Sequence, residues 1–142
     1  MNKNDFINKA VGLPWVDRAA NWSAMDCWGV VVMYFRYVYG EELPLVEGYQ
    51  SKLISISDGF NDQISTEKWR RVDSPDGDCI AFALIKGGVA SHVGVVVDGD
   101  YILHSAGNEQ FEGQVRLDRL DVFRRHNRGE MQFYHYEGCR CL

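Results

Sequence analysis

The sequence predicts an α+β fold, N-terminal helices followed by a mostly antiparallel β-sheet, with one buried helix at its centre. Three observations predict it. Val30 to Tyr39 is apolar on nearly every side, with Arg36 as its only charge, which marks a helix buried all round. From Trp69 onward the helical spacing of apolar residues gives way to short apolar runs of strand length. Those runs are separated by tight-turn signals, Lys86-Gly-Gly88 and Asp98-Gly99, of the kind that close hairpins.

Taken in order, Asn4 to Val11 reads as a short amphipathic helix, capped by Asn2 or Asn4 and stopped by Gly12 and Pro14. Gly12 to Ala24 is a connector carrying two tryptophans, Trp15 and Trp22; such rings either wall a cleft or pack into a core, and core packing is the commoner use. Asp26 is a good N-cap for the central helix and Gly40 a natural residue just past its end. Glu41 to Pro44 is a turn, and Tyr49 to Thr66 carries a weak helical pattern broken at Asp58-Gly59, which suggests two short helices. Ser74 to Gly77 is a turn, followed by strands at Cys79–Ile85, His92–Val97 and Tyr101–Ser105. After a loop from Gly107 to Gly113, Val115–Leu117 and Met131–Tyr136 read as two more strands, separated by a basic connector from Arg119 to Arg128. There are no repeats or linkers, so residues 1–142 are expected to form one domain.

A chain of 142 residues is long enough to remove roughly 70% of its unfolded surface from water. The net charge of −5, with no stripe of Lys and Arg, argues against nucleic acid as a main ligand. No apolar run reaches the roughly 18 residues of a membrane span. Met1 to Phe6 lacks the hydrophobic core of a signal peptide, so synthesis in a cytoplasm is expected. The four cysteines, Cys27, Cys79, Cys139 and Cys141, are spaced too irregularly to suggest a disulfide framework, and Cys79 reads as inert core.

The candidate chemistry begins with Cys27 in the first turn of the central helix. Unpaired N–H groups and the helix dipole there favour a negative charge and can lower a thiol from about 8.5 towards 7 or below. The alternative is that Cys27 is one more small buried hydrophobe, and position alone leaves both open. His92 and His104, on the two arms of one hairpin, supply a possible base and a group to orient it. A strict two-residue turn at Asp98-Gly99 would aim them at opposite faces of the sheet. A three-residue loop, Val97-Asp98-Gly99 with Gly99 left-handed, puts His92 directly across from His104, so an odd-length loop or a bulge is expected. Gly94, on the same face as His92, leaves room for the helix start to approach. A zinc site would need more ligands at paired spacings that the sequence lacks, so no metal and no cofactor is expected. Cys139-Arg-Cys141 with His135 is a weaker metal candidate still, and His126 reads as a solvated loop residue.

Four motifs occur in a fixed order: Asp26-Cys27-Trp28-Gly29 opening a helix, Pro75-Asp-Gly-Asp78 leading a strand, Ser91-His92-Val-Gly-Val-Val-Val97, and Leu103-His104-Ser105. Together they resemble the NlpC family of papain-like cysteine peptidases, which cut cell-wall peptides. The resemblance implies a papain-like fold with Cys27 as nucleophile, His92 as base and His104 as the residue that orients it. The implied substrate is the peptidoglycan stem peptide, commonly cut between D-γ-glutamate and diaminopimelate, with Trp15, Trp22, Asp26 and Trp28 as candidate substrate-binding residues. Trp28 after the cysteine, and Val115-Arg-Leu-Asp118 ahead of an aromatic strand, are similar to the branch found in phage tail-assembly proteins. Phage tail proteins are therefore candidate partners and the virion tail a candidate location, which fits the lack of a signal peptide. The family's frequent tyrosine before the cysteine is replaced here by Trp15, and its glycine pair by Ala19-Ala20-Asn21. Oxyanion stabilisation then falls to the Cys27 N–H and a second donor. The rival expectation is a tail-tip component that keeps the fold and hydrolyses nothing.

Overall fold

The computed structural model describes residues 1–44, 61–107 and 113–139. Asn2 starts the first helix, α1 (Lys3–Ala10), by accepting the Asp5 N–H at 2.8 Å, the N-cap expected from the sequence. The tryptophan-bearing connector then folds into a two-stranded ribbon, β1 (Ala20–Asn21) and β2 (Ala24–Met25), paired antiparallel. Helix α2 (Cys27–Tyr34) follows, every one of its residues buried. Its capping agrees with the sequence at both ends: Asp26 accepts the Gly29 N–H, and Gly40 takes the left-handed conformation with φ 70°. The last turn differs, widening into a π-helical turn over Phe35–Tyr39. There Phe35 packs on Tyr39, Trp69 and Tyr136, and Tyr39 on Tyr34, so four rings besides Phe35 share the space at the end of the helix.

Gly29 is needed for a close approach. The carbonyl of Ala19 lies over the first turn of α2, where a Cβ on residue 29 would overlap it. That carbonyl also accepts the Asp26 N–H at 2.9 Å, so the connector is tied down on the helix start.

The rest of the chain builds one six-stranded sheet. Its strands are β3 (Trp69–Val72), β4 (Ile80–Lys86), β5 (Val89–Val97), β6 (Tyr101–Ala106), β7 (Gln114–Arg119) and β8 (Glu130–Tyr136), in spatial order β3-β8-β4-β5-β6-β7. All neighbours are antiparallel. The expected α+β class and antiparallel sheet are thus what the structure shows. Of the two helices expected within Tyr49–Thr66, residues 61–64 are helical and 49–60 lie outside the described residues. The basic connector is a correction: Leu120–His126 forms a helix, α3. Leu120 and Phe123, three apart and so on one helical face, are buried against Phe82, Val96 and Ile102, while the arginines point outward.

The sheet has a core on each side. Val93, Val95, Val97, Leu103 and Val115 pack with α1 and α2, and the alternate residues Phe82, Val96 and Ile102 pack with α3. No helix among the described residues is long and apolar enough to cross a membrane.

The reading of the cysteines needs a second correction. Cys79 and Cys139 form a disulfide, their Cα atoms 6.3 Å apart. The turn after β8 brings them together: Tyr136 N–H donates to the Cys79 carbonyl and Cys139 N–H to the Tyr136 carbonyl, each at 3.1 Å. Cys79 itself sits at φ 62° ahead of β4, with its N–H on the Tyr39 hydroxyl.

Two outcomes follow. Gly29→Ala, which forces the Ala19 carbonyl off the helix, is expected to destabilise the fold by about 1–3 kcal/mol in urea unfolding. Replacing both Cys79 and Cys139 by Ser opens a closed loop of 60 residues and is expected to cost about 4 kcal/mol by the same measurement.

Candidate active site

The site is assembled from the start of α2 upward. Asp26 is 1% exposed and uses both carboxylate oxygens internally, one on the Gly29 N–H at 2.6 Å and the other on the Arg18 N–H at 2.8 Å. It fixes the connector and the helix start together. Cys27 follows as the first helical residue, 6% exposed and the only free cysteine among the described residues.

Burial pushes the Cys27 thiol far up from its ordinary range, and the adjacent Asp26 carboxylate pushes the same way. The N–H groups of Val93, Trp28 and Cys27 pull it down and are outweighed. The expected lowering by the helix terminus is therefore reversed in sign. The cause is that the helix N-terminus comes with an anionic cap and almost no solvent.

The sheet brings the imidazoles. Val95 faces Leu103, Val96 faces Ile102 and Val97 faces Tyr101, leaving Asp98-Gly99-Asp100 as a three-residue loop with Gly99 at φ 73°. The odd loop length is as expected, but the register is slid by two residues on β5. Gly94, not His92, then falls opposite His104, and a Cβ on Gly94 would lie 2.9 Å from that of His104 and 2.6 Å from the Phe82 ring. With no side chain there, His92 reaches diagonally across, and its Nε2 meets His104 Nδ1 at 2.8 Å.

Beyond Val95 and Leu103 the two strands no longer pair: β5 continues on β4 and β6 continues on β7. Near this opening Cys27 packs with Val93, the residue after His92, whose N–H is among the groups that favour its thiolate. Ser105 closes the other side, its hydroxyl donating to the Met25 carbonyl at 2.6 Å. The imidazoles belong to the sheet face covered by α3, while Cys27 packs with the core on the other face.

Both rings lie in an aromatic setting, His104 edge-on to Phe123 at 5.2 Å and His92 stacked on it at 6.2 Å, with Phe82 alongside. Burial, then the neighbouring His104 and Lys86, lowers His92 to about 3. Burial also lowers His104, against the upward pull of Asp118.

Asp118 is the residue at the end of this chain of hydrogen bonds that sequence reasoning missed. Its Oδ2 meets His104 Nε2 at 2.7 Å, and its Oδ1 accepts from Arg116 Nη2 at 3.2 Å. Burial works to raise the Asp118 carboxyl, but His104 and Arg116 together hold it below its ordinary range. The signal was strand alternation: His104 pairs with Arg116, so Asp118, two residues on, shares its face.

The four candidate substrate contacts separate. Trp15 lines a cleft of about 720 Å³ with Ala106, Gln114 and Arg116. Trp22 instead packs on Phe6 and Tyr37, with the Lys9 ammonium 4.2 Å above its ring. Trp28, 5% exposed, packs against Trp69 in the core, and Asp26 has both oxygens committed. These last two are corrections: burial leaves neither side chain a surface for a substrate.

A free thiol at a helix start thus packs on the antiparallel sheet that carries the His92–His104 hydrogen bond. The model of the NlpC/P60 family matches residues 12–135. The chain belongs to the NlpC/P60 family. Its enzyme class is that of the family, a cysteine-type cell-wall hydrolase. Among solved structures it is similar to the NlpC/p60 domain of the peptidoglycan hydrolase SagA, with a TM-score of 0.57 and 18% identity over 93% of this chain and 97% of that one. At that identity the likeness speaks for the papain-like fold. No curated protein sequence matches.

In this NlpC/P60 domain the buried His104 and the half-buried His92 make stability depend on pH. With His92 lowered to about 3 from an unfolded value of about 6.5, the unfolded chain binds the extra proton across that window. Stability from this group is complete above the window and is lost as pH falls through it. His104 acts in the same direction. The thermal midpoint is expected to fall steadily from pH 6.5 towards pH 4, and His92→Gln to flatten that slope.

Proposed function

We propose that this domain is a thiol hydrolase of peptidoglycan stem peptides, working by a Cys27-His92-His104 mechanism. What supports the reading is that Cys27, the first residue of α2, packs with Val93, which follows His92 in the chain, and that His92 hydrogen-bonds His104. The SagA domain, titled a peptidoglycan hydrolase, supports the substrate class.

Because burial keeps the proton on sulfur and off the ring, the resting pair is neutral thiol and neutral imidazole. Attack and proton transfer therefore go together. The sulfur bonds to the peptide carbonyl carbon as its proton passes to Nδ1 of His92, the nitrogen not engaged by His104. The Cys27 and Trp28 N–H groups at the start of α2, which Asp26 leaves uncapped, are the donors for the developing oxyanion. The tetrahedral intermediate collapses with loss of the amine, which takes the proton from His92. Water, deprotonated by the same nitrogen, then attacks the thioester and releases the acid and the thiol.

The bond assigned is that between D-γ-glutamate and diaminopimelate. The setting assigned is a phage tail, on the resemblance of Trp28 and Val115–Asp118 to that branch. The buried, proton-holding thiol favours a second reading, a tail-tip component that hydrolyses nothing. Slow alkylation of Cys27 fits both readings, so turnover separates them. Mass spectrometry of wall fragments is expected to show stem peptides shortened by the wild type and untouched by Cys27→Ala. Equal digestion by both, or by neither, defeats the hydrolase reading.

A further inference from the structure

We propose that Asp118 is a positioning residue of this site: acting through His104, it sets which ring nitrogen of His92 is bare and available as base. The inference rests on the Cys27–His92 reading above and extends it by one residue.

The argument follows hydrogen-bond polarity along the chain. A carboxylate only accepts, and Asp118 has one oxygen on Arg116 Nη2 and the other on His104 Nε2. His104 Nε2 must therefore carry a proton. His104 is 2% exposed and neutral, so that proton is its only one and its Nδ1 is bare. Nδ1 lies 2.8 Å from His92 Nε2, which must then be the donor. His92, neutral too, has its single ring proton on Nε2, and Nδ1 is left free to take the proton of the thiol. Remove the carboxylate and nothing fixes this direction. His104 can then hold its proton on Nδ1, His92 Nε2 must accept, and the proton on His92 moves to the nitrogen that should be the base. Asp118 touches no reacting atom, and no proton moves to it. When Nδ1 takes the proton of the thiol, the new imidazolium donates to a histidine backed by an anion.

Arg116 makes the test sharp. In Asp118→Asn the guanidinium still only donates, so the amide oxygen turns to Arg116 and the NH₂ to His104 Nε2, which inverts the chain. In Asp118→Asn with Arg116→Ala the amide is free to turn over and present its oxygen to His104. The readouts are nitrogen NMR of ¹⁵N-histidine-labelled protein, which reports the tautomer, and the rate of Cys27 alkylation by iodoacetamide. The wild type is expected to show His92 Nδ1 bare, and Asp118→Asn to show it protonated. A wrong tautomer in a related triad costs about 10⁴-fold; with one ring interposed, the expected drop in alkylation is roughly a hundredfold, and the double variant is expected to regain at least about tenfold.

A wild type already protonated on His92 Nδ1 overturns the proposal without any variant. So does an Asp118→Asn protein with tautomer and alkylation unchanged, or a double variant no faster than the single. None of these readouts uses wall peptide. A wild type with the expected tautomer and no turnover counts against the substrate assignment and leaves Asp118 in its place.

Discussion

The structure depends on one carboxylate. Asp26 joins the helix start to the connector before it, with one oxygen on Gly29 and the other on Arg18. The glycine at position 29 follows from this, because the connector can lie on the helix only where no side chain intervenes. So does the character of Cys27. The anion that caps the helix stands next to the thiol and opposes its ionisation, while the helix N–H groups favour it. Held by this anchor and stripped of water, the sulfur keeps its proton.

The second half of the site depends on a missing side chain. Gly94 lets His92 and His104 approach diagonally where strand pairing ends beyond Val95 and Leu103. Phe82 and Phe123 surround the rings and keep them neutral. A neutral imidazole has one donor and one acceptor, so a chain of two such rings has a direction. The ion pair of Asp118 with Arg116 at its end is what can fix that direction.

Local signals in the sequence survived in the structure. The caps at Asn2, Asp26 and Gly40 depend on residues within one turn, and the strands from β4 to β8 on alternation and turn residues. The odd hairpin loop was legible because only an even slide keeps both histidines on one face. What was not legible depended on distant partners. Helix α3 hid its two buried residues, Leu120 and Phe123, among arginines. Asp118 could be paired with His104 only once the register between β6 and β7 was known. The Cys79–Cys139 bond joins residues 60 apart. The thiol was misjudged because its ionisation is set by burial, a property of the finished fold, more than by its place on the helix.

The disulfide and the buried thiol also bear on each other. A bond such as Cys79–Cys139 persists where oxidants prevail, and under those conditions an exposed thiolate is consumed by exchange or by stepwise oxidation. Cys27 escapes both fates because it is shielded and holds its proton. A thiol that is buried and protonated at rest gives up idle reactivity and gains endurance in air.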